Sequence, residues 1–600
     1  MASKYFDRKT LDFILEDVHV ASSLSALTYF EDHDSETFKM VLDSAEHIGD
    51  TIMFPSLSAV DKNQPELVDG EVKVHPSIKA YLKAIGEAGL LSADFSYEDG
   101  GSQLPLTVGS AVGFTLIAAN NGMLYSGLTA GSARLITAYG SDDLKETYVE
   151  KMLSGKWQGT MCLTEPQAGS SLSDINATAT REEDGTFKLT GQKIFISAGD
   201  HDCCDNVVHL VIARIKGAPS GSKGISLFVV PKILPNGELN DVTNVGIFHK
   251  LGQKGVPAMH LGFGDRSNNC VAYLIGQENK GLSYMFQMMN EARIGVGVTG
   301  AAIASAAYQA SLEYAKERPQ SRRLNEKSAV ESPQIPIIQH PDVRRMLFFQ
   351  KAVVEGSISL LTEVSKYYDL SHRLEDAKEK AEYHLLLELL TPIAKTYPCE
   401  AGVKSISEAV QIFGGYGFTE DFPVEQYYRD IRITPIYEGT TGIQSLDLLG
   451  RKVLMADGKA MFLLAEEINK TIKEANQTEK LQAYAGKLGD AVKRLSEVTQ
   501  HLMKVAATGD VELFLSDATL YMEVFSLVTI SWQWLKMASV AANGLKDVGI
   551  NAEQKAFLES KIKTMQFFFH YELPKTEGFI TRLTDGEVIT VLRGEEKMVF

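Results

Sequence analysis

Two changes of hydrophobic period divide this 600-residue chain and restrict the folds it can adopt. From about residue 36 to 156, apolar side chains recur at three- and four-residue intervals, the spacing of amphipathic helices. Short alternating or β-branched runs then continue to about residue 280 and predict an antiparallel sheet or barrel. Helical spacing returns at Gly281 and continues nearly to the end. The pattern therefore predicts an α+β protein that is mainly helical, with a β domain in the middle.

These changes predict five segments along the chain. They are an N-terminal extension (1–35), an N-terminal helical domain (36–160), a middle β domain (161–280), a helical domain (281–455) and an additional C-terminal helical domain (456–600). Pro, Ser and charged residues gather in "ERPQSRRLNEKSAVESPQIPIIQHP", which we expect to form a surface loop between two long helices.

The charge and hydropathy of the chain exclude two classes of partner. The formal net charge of −18 argues against a nucleic acid, because nucleic-acid affinity depends mostly on Lys and Arg neutralising phosphates. No stretch reaches the length of about 18 consecutive apolar residues that crosses a bilayer. The best candidate, "EVFSLVTISWQWLKMASV", is interrupted by Ser, Thr, Gln and Lys. We therefore expect neither nucleic-acid binding nor a membrane span.

The N-terminal stretch and the cysteines bear on the compartment. "MASKYFDRKTLDFILEDV" is acidic from Asp7 onward and lacks an apolar signal core, so the expected location is cytoplasmic. The five cysteines show neither C-x-x-C nor His-paired spacing, and no metal site is expected. The adjacent Cys203 and Cys204 invite a redox role. Neighbouring cysteines pair only with strain, however, and loop packing is the better explanation.

The stretch "ARIGVGVTGAAIASAA" contains G-x-G-x-x-G at Gly295, Gly297 and Gly300, the spacing of a dinucleotide-binding turn. That motif needs a strand before it and a carboxylate after a second strand. Here helical spacing precedes and follows the glycines, and the candidate acids Glu313 and Glu317 lie on the same helical stretch. We interpret the glycines as small residues that let a long helix approach a neighbour closely.

Two stretches near the start of the β domain could contact a planar, phosphorylated ligand. "MCLTEPQAGSSLSD" offers turn amides and the hydroxyls of Thr164, Ser170 and Ser171, which can bind a heterocycle edge or a phosphate. An inter-domain turn explains the same pattern. In "GQKIFISAGD", strand alternation places Phe195 and Ser197 on one face, where they could cover and bond a planar ring. An ordinary half-buried strand explains this second pattern equally well.

A carboxylate late in the third helical region has the surroundings of a general base. In "QIFGGYGFTEDFPVEQYYRDIRITPIYEGTTGIQ", Gly414, Gly415 and Gly417 permit close backbone approach to a ligand. Further on, Glu438 follows apolar residues, and Thr440 or the next threonine can cap the following helix. A carboxylate held against aromatic surface has a raised pKa, as a base near neutral pH requires. A surface glutamate at a helix entry is the alternative.

Five stretches together resemble one family. "CLTEPQAGS", "GQKIFIS", "EARIGVGVTGAA", "QIFGGYGF" and "RDIRITPIYEGTTGIQ", in this order within about residues 40 to 450, resemble the acyl-CoA dehydrogenase family. The resemblance implies an N-terminal helical domain, a middle β domain and a C-terminal four-helix domain, followed here by an extra helical domain. It also implies FAD as cofactor and the removal of two hydrogens across Cα and Cβ of an acyl-CoA thioester.

The resemblance further implies roles for individual residues. Glu438 matches the general base, and Arg318 matches an arginine on the FAD pyrophosphate. The other cofactor-binding positions line the flavin or form a loop that holds the adenosine half, commonly of a neighbouring subunit: Met161, Leu163, Thr164, Phe195, Ser197, Gln411, Gly414, Gly415, Thr440 and Gly442. The substrate-binding positions are Ser170, Asn290, Arg293, Tyr437 and Gly439. Many members have tryptophan where this chain has Phe195.

Several positions depart from the family pattern. Pro341 stands where relatives often carry a glutamine that helps hold FAD. Some members place the base on the long helix, at the position of Ala292; the nearby Glu291 is about 100° around the helix, so Glu438 has no evident rival. "KYFDRKTLDFILEDV" and the block after about residue 455 are similar to the enlarged subgroup that includes 3-methylthiopropanoyl-CoA dehydrogenases.

The resemblance implies partners as well. They are an acyl-CoA substrate, either 3-methylthiopropanoyl-CoA or a short or medium acyl-CoA, and an electron-transfer flavoprotein as acceptor. A homo-oligomer is implied, most simply a dimer. Two alternatives stay open: an acyl-CoA oxidase of the same fold that uses O₂, and a non-catalytic flavoprotein or binding module. The negative charge and the presence of Glu438 argue against the binding module.

Overall fold

A computed structural model of the chain describes residues 4–287, 289–326 and 332–594. The chain forms two compact units, each with its own core. One unit is Thr28–Ala292, and the other combines Met1–Leu27 with Arg293–Phe600. The predicted surface loop between two long helices is present, although its residues 327–331 lie outside the described residues.

The first helix, α1 (Arg8–Asp12), precedes six helices that open the unit Thr28–Ala292. These six helices agree with the predicted helical region and are α2 (Ser35–Ile48), α3 (Leu57–Lys62), α4 (Ser77–Glu87), α5 (Leu106–Ala119), α6 (Ser126–Tyr139) and α7 (Asp142–Leu153). A capping box starts α2, because the Asp34 carboxylate accepts from the Thr37 amide while the Thr37 hydroxyl accepts from the Asp34 amide. A short hairpin that the period did not predict, β1 (Glu66–Val68) with β2 (Glu71–Lys73), interrupts the helices.

Eight further strands form the β domain. They are β3 (Trp157–Cys162), β4 (Thr178–Arg181), β5 (Phe187–Ser197), β6 (Asn206–Ile215), β7 (Ile225–Pro231), β8 (Val242–Phe248), β9 (Ala258–Phe263) and β10 (Cys270–Ile275). The strand order is β10-β7-β6-β4-β5-β9-β8, with β3 also paired to β6 and β10 also paired to β5. Five strands were predicted from alternation, whereas β3, β4 and β8 were missed. The expectation of an antiparallel sheet was wrong at two pairings, since β6 runs parallel to both β3 and β4.

Strand β6 is buried on both faces and separates two apolar cores. Val208, Leu210 and Ile212 pack towards the core that includes the helices α6 and α7. Val211 and Ala213 pack on the opposite face with residues of β5, β7 and β9. A strand that is buried on both faces has a nearly continuous run of apolar residues in its sequence, as "NVVHLVIARI" in β6 has. Helix α8 (Gly281–Gln287) follows the last strand.

The second unit is helical. Its elements are α9 (Met289–Glu317, shared with the end of the first unit), α10 (Pro341–Arg373), α11 (Ala377–Phe413), α12 (Val424–Ile431), α13 (Thr441–Gly450), α14 (Lys459–Ala475), α15 (Glu479–Ala506), α16 (Val511–Leu515), α17 (Ala518–Gly544), α18 (Ala552–Tyr571) and α19 (Lys575–Leu583). Pro341 occupies the first position of α10, where a missing amide hydrogen costs nothing. The Asp376 carboxylate caps α11 by accepting from two backbone amides.

The glycines of the G-x-G-x-x-G spacing lie inside α9, and no phosphate loop is formed there. A Cβ on Gly297 would stand 2.1 Å from the carbonyl oxygen of Ala394 in α11, and one on Gly300 would stand 3.0 Å from Pro398. Gly295 meets nothing within 4 Å. The interpretation as small packing residues is therefore confirmed for Gly297 and Gly300 but not for Gly295.

One apolar stretch of the described chain, Val511–Gly544, is long and apolar enough to cross a membrane, and 61% of its most apolar window is buried. Within it, Trp532 donates to Thr471 at 2.9 Å and Trp534 donates to the carbonyl of Ala352 at 3.0 Å. Burial and inward hydrogen bonds of this kind are typical of a core helix. The expected location of the protein stays a prediction.

Candidate active site

The end of β3 leads into a turn that a buried ion pair holds in place. The Lys193 ammonium donates to the Leu163 carbonyl at 3.0 Å and to the Glu165 carboxylate at 2.8 Å. That carboxylate also accepts from the amides of Asn176 at 2.6 Å and Ala177 at 3.1 Å. Burial alone would raise the pKa of Glu165, but Lys193 and these hydrogen bonds outweigh it and lower the pKa. The buried Lys193 and Glu165 side chains therefore hold the backbone at Leu163 in place.

Next to this turn, an aromatic ring stands out from β5. The Ile194 amide donates to the Thr164 carbonyl at 2.9 Å, so the strand and the turn are adjacent. The pairing of β5 with β9 shifts register between Lys193 and Ile196. Within that bulge Phe195 has a left-handed backbone with φ of 58° and a side chain that is 57% exposed. Bulges of this kind redirect a side chain, and they concentrate beside active sites.

The predicted flavin-lining residues of these two segments are open to solvent. Met161, Leu163, Thr164 and Ser197 are partly exposed, and Phe195 is exposed beside them. A strained backbone that presents an aromatic ring to solvent costs free energy, which a planar ligand stacked on it can offset. The predicted sharing of a face by Phe195 and Ser197 stays a prediction, because the bulge interrupts the simple alternation on which it was based.

Two of the predicted CoA-side residues are accessible, whereas a third, Arg293, is buried. Ser170 is exposed in the bend after the Glu165 turn, and Asn290 is partly exposed near the start of α9. Arg293, one turn further along α9, is 7% exposed and donates to Asp447 of α13 at 2.9 Å. Its Nε has no hydrogen-bond partner among the described residues.

In the glycine turn after α11 (Gly414–Phe418), two glycines have space beside the backbone that a ligand could occupy. Gly414 has φ of 61°, and neither Gly414 nor Gly415 would meet another atom within 4 Å through a Cβ. Gly417 differs, because its Cβ would stand 2.4 Å from the Val410 carbonyl oxygen, so it serves packing within the chain rather than an approach to a ligand. Arg318 and Gln411 are exposed, as ligand contacts would require.

The carboxylate at 438 stands on a strained turn. Glu438 has a left-handed φ of 52°, which is uncommon for a residue other than glycine. The Gln444 side chain donates to the Glu438 carbonyl at 3.0 Å, and Gly439 follows with φ of 86°. Thr440 caps α13 by accepting from the Ile443 amide at 3.2 Å, which confirms the predicted capping role. Tyr437 is partly exposed. Such outliers cluster at active sites because the surrounding structure must hold them.

The electrostatics of Glu438 agree with the expected base. The Glu438 residue is exposed overall, yet desolvation of its carboxyl group by the surrounding protein raises its pKa above the ordinary value. Lys395 opposes this rise most strongly, and Arg293 opposes it less. The result is a carboxylate that is easier to protonate than an ordinary glutamate, which suits a group that must accept a proton.

The other acid considered for this role has a different partner. Glu291 pairs with Arg134 at 3.0 Å, and Arg134 also pairs with Asp94. The neighbouring Ala292 carries no ionisable group. An ion-paired glutamate is a weak base, since its partner stabilises the ionised form.

Two lysines that bear on these sites were missed from the sequence. Lys193 follows Phe187 and Leu189 at even spacing on β5, so alternation places it inward and implies a buried acidic partner. Lys395 is a lone cation in the apolar helical run "LLTPIAKTYP". No local pattern identifies Glu165 as the partner of Lys193, because the two residues are 28 positions apart in the sequence.

Four family models match successive parts of the chain. They describe the acyl-CoA dehydrogenase N-terminal domain (residues 36–156), middle domain (160–265) and C-terminal domain (279–454), and an acetyl-CoA dehydrogenase C-terminal-like domain (464–591). The order of helical, β, helical and additional helical parts is the order that the hydrophobic period predicts.

Two similar proteins match most of the chain. The chain is 37% identical over 581 residues to the 3-methylmercaptopropionyl-CoA dehydrogenase of Ruegeria pomeroyi, covering 96% of each. It is 35% identical over 488 residues to a butyryl-CoA dehydrogenase of Syntrophomonas wolfei subsp. wolfei, covering 78% of each.

Solved structures share the fold. An acyl-CoA dehydrogenase from Bacillus anthracis, complexed with FAD, matches with a TM-score of 0.73 at 22% identity, covering 95% of this chain and 91% of that chain. A chain from the structure of the electron transferring flavoprotein of Acidaminococcus fermentans matches with a TM-score of 0.57 at 25% identity, covering 70% of this chain and 99% of that chain.

Proposed function

Because this chain belongs to the acyl-CoA dehydrogenase family, we propose that Glu438 is the base with which it removes a proton from an acyl-CoA. The resemblance seen in the sequence is confirmed, and the enzyme is an FAD-dependent acyl-CoA dehydrogenase. The relatives favour this function over the oxidase and binding-module alternatives. The observation that carries the assignment of the base is the strained turn at Glu438 together with its raised pKa.

Glu438 acts on the α-carbon of the thioester. Its carboxylate takes the α-proton, its backbone amide polarises the thioester carbonyl, and the 2,3-enoyl-CoA forms as the β-hydrogen leaves with two electrons. FAD, when bound, supplies the acceptor for that hydride. The Gln444 hydrogen bond to the Glu438 carbonyl holds the turn, so the carboxylate and the amide keep a fixed relation during the reaction. We assign Ser170, Asn290, Arg293, Tyr437 and Gly439 to substrate binding.

The residues that would hold FAD fall into two groups. Met161, Leu163, Thr164, Phe195 and Ser197 would contact the ring system, and their exposure beside a fixed turn supports this role. The remaining contacts, with the phosphates, the adenosine half and the rim of the flavin, we assign to Arg318, Gln411, Gly414, Gly415, Thr440 and Gly442.

We also propose that the enzyme is a homodimer. Tyr416 and Phe418 of the glycine turn are 47% and 91% exposed, and exposed aromatic residues of this kind mark interaction surfaces. The resemblance implies that this turn reaches the FAD of a neighbouring subunit. Light scattering of the FAD-loaded protein tests the proposal: a dimer is expected, and a monomer with full flavin content and activity would contradict it.

For the electron acceptor we propose an electron-transfer flavoprotein. The structural similarity to a chain from an electron transferring flavoprotein structure supports this choice. Acceptor-dependent turnover without oxygen consumption is expected. Rapid oxygen consumption with no added acceptor would instead favour an oxidase.

The substrates that we propose are short acyl-CoA thioesters, including 3-methylthiopropanoyl-CoA. The relatives named above act on such thioesters, according to their names. 3-Methylthiopropanoyl-CoA and pentanoyl-CoA have chains of equal length that differ only in a sulfur for a methylene. An apolar pocket distinguishes ligands by size more than by such a replacement. One methylene more or less changes kcat/KM by roughly 10- to 200-fold.

A panel of CoA thioesters tests the substrate class through anaerobic bleaching of the flavin. We expect butyryl-, pentanoyl- and 3-methylthiopropanoyl-CoA to reduce the flavin, with the last two within about tenfold of one another in kcat/KM. Octanoyl-CoA should react more slowly. A fastest reaction with octanoyl-CoA would contradict the short-chain proposal without affecting the assignment of Glu438.

A further inference from the structure

A second aromatic ring, Phe248 at the end of β8, packs against the ring of Phe195. The two ring centroids lie 4.6 Å apart, with an angle of 42° between the ring planes. Aromatic pairs at this distance attract one another beyond the area that they bury. Phe195 nevertheless keeps 57% of its surface exposed, while Phe248 is partly buried. Phe248 therefore supports the ring of Phe195 and leaves much of that ring open to a ligand.

Hydrogen bonds fix the backbone on both sides of Phe195 but leave its side chain free to turn. Before it, the Ile194 amide donates to the Thr164 carbonyl at 2.9 Å. After it, the Ala198 amide donates to the Pro257 carbonyl, also at 2.9 Å. These bonds set the direction in which the side chain leaves the strand, but an exposed side chain changes rotamer within nanoseconds and the χ2 torsion of phenylalanine is broad. The orientation of the ring therefore depends on what the ring itself contacts.

Phe248 is itself held by a ring on the next strand. His260 of β9 lies nearly parallel to Phe248, with centroids 6.4 Å apart and an angle of 22° between the planes. The residue directly opposite His260 on β8 is Gly246, whose lack of a side chain leaves room for the diagonal neighbour Phe248. The Nε2 of His260 donates to the side-chain oxygen of Gln192 in β5 at 3.0 Å. The contacts thus start on β5 at Gln192, cross β9 and β8, and return to β5 at Phe195.

We propose that Phe248 is a positioning residue for the cofactor site: it holds the ring of Phe195 in the orientation in which that ring contacts the flavin. The inference rests on the proposed assignment of Phe195 to the flavin ring system. Packing alone does not account for the pair, because Phe195 has a strained backbone and is more exposed than the ring that supports it. A ring that is fixed before the cofactor arrives loses little conformational freedom on binding, so binding is tighter.

Removal of the Phe248 ring should weaken FAD binding and change the surroundings of the flavin. For Phe248→Leu, which keeps an apolar side chain, we expect the dissociation constant of FAD to rise roughly 3- to 10-fold, the scale of one aromatic pair. The visible circular dichroism of the bound flavin should change as well, because it depends on how the surrounding groups are oriented. Phe248→Tyr keeps the ring and should restore both values. Phe248→Met carries the same expectation as Phe248→Leu and replaces it if the leucine variant folds poorly.

Fluorescence titration of the FAD-free protein and visible circular dichroism of the loaded enzyme measure these effects. A double-variant cycle then tests whether Phe248 acts through Phe195, because residues in contact are energetically coupled. In the background Phe195→Ala, the further change Phe248→Leu should alter the dissociation constant of FAD by less than about twofold. A purely structural Phe248 would weaken FAD binding equally in both backgrounds. The matched control is Val245→Ala, which shortens an exposed apolar side chain of the same strand and should match the parent.

The outcomes separate this proposal from the assignment of Phe195 to the flavin. An unchanged dissociation constant of FAD in both Phe248→Leu and Phe248→Met, with weaker binding in Phe195→Ala, overturns only the role of Phe248. Equal effects of Phe248→Leu in the parent and in the Phe195→Ala background overturn it too. If Phe195→Ala binds FAD as tightly as the parent and with the same dichroism, both proposals fail. None of these results changes the assignment of Glu438, which flavin reduction tests.

Discussion

Lys193 and Glu165 form an ion pair 2.8 Å long, with side chains that are 0% and 3% exposed. Removing one partner leaves the other as an uncompensated buried charge, which costs about 3–5 kcal/mol of stability in such pairs. We therefore expect Lys193→Met to lower the free energy of unfolding by about that amount. It should also weaken FAD binding, because the turn at Leu163 loses its hydrogen bond. Urea unfolding and fluorescence titration with FAD measure the two effects.

Two further variants sharpen this test. The double variant Lys193→Met with Glu165→Leu should recover part of the stability, since no charge remains buried. Lys188→Met is the control on the same strand, because Lys188 pairs with Glu182 at 3.0 Å near the surface. Such an exposed pair contributes less than about 1 kcal/mol. Equal losses in Lys188→Met and Lys193→Met would contradict the role given to the buried pair.

The glycines of α9 give a matched pair of substitutions. Gly297→Ala places a Cβ 2.1 Å from the Ala394 carbonyl oxygen, which forces α9 and α11 apart and should cost about 1–3 kcal/mol. Gly295→Ala meets nothing within 4 Å and should stabilise the helix by roughly 0.5–1 kcal/mol. Thermal unfolding distinguishes the two. Loss of FAD binding in Gly295→Ala, with the fold intact, would revive the phosphate-loop interpretation.

The sequence predicted those parts of the fold that depend on local spacing. Helix and strand periods reflect which face of an element is buried, so the helical regions and strands such as β6 were predictable. The parallel pairing of β3 with β6 was not, because register is decided between strands that are distant in sequence. Strand β3 also begins at Trp157, before the expected domain boundary at 161, because a buried edge of the sheet carries little alternation.

The candidate residues were predictable from motif resemblance, while their conformations were not. The left-handed backbones of Phe195 and Glu438 depend on strand pairing and on the hydrogen bond from Gln444, which no local pattern encodes. Lys395 was missed for a related reason. Its Nζ has no hydrogen-bond partner among the residues that the structure describes, and this becomes visible only once the helices are packed.

A buried histidine predicts how stability depends on pH. His209 in β6 is bonded to the Thr160 hydroxyl at 2.8 Å, and burial lowers its pKa to about 4. The unfolded chain takes up this proton near its ordinary value of about 6.5, so stability is full above that pH and falls towards pH 4. Between pH 7 and pH 5 this residue should contribute a loss of about 2 kcal/mol. Urea unfolding at the two pH values measures it.

The control for this prediction is the variant His209→Gln. It keeps a hydrogen-bonding group near Thr160 and cannot titrate, so its stability should change less between pH 7 and pH 5. His19 and His201 also have pKa values lowered by burial to about 4, and they contribute equally in both proteins. An identical pH dependence of stability in parent and variant would contradict the lowered pKa of His209 in the folded state.

The assignment of the base is tested most directly by flavin reduction in Glu438→Gln. The glutamine keeps the size and hydrogen-bonding shape of the side chain and removes its basicity, so FAD and acyl-CoA should still bind. Glu291→Gln is the matched control, because Glu291 pairs with Arg134 at 3.0 Å and has no role in the proposed reaction. Each variant is mixed anaerobically with a substrate that bleaches the flavin of the parent. In Glu438→Gln the substrate should reduce the flavin at least about 100-fold more slowly than in the parent, whereas in Glu291→Gln the rate should be nearly that of the parent. Bleaching of Glu438→Gln at the parent rate would show that another group removes the proton.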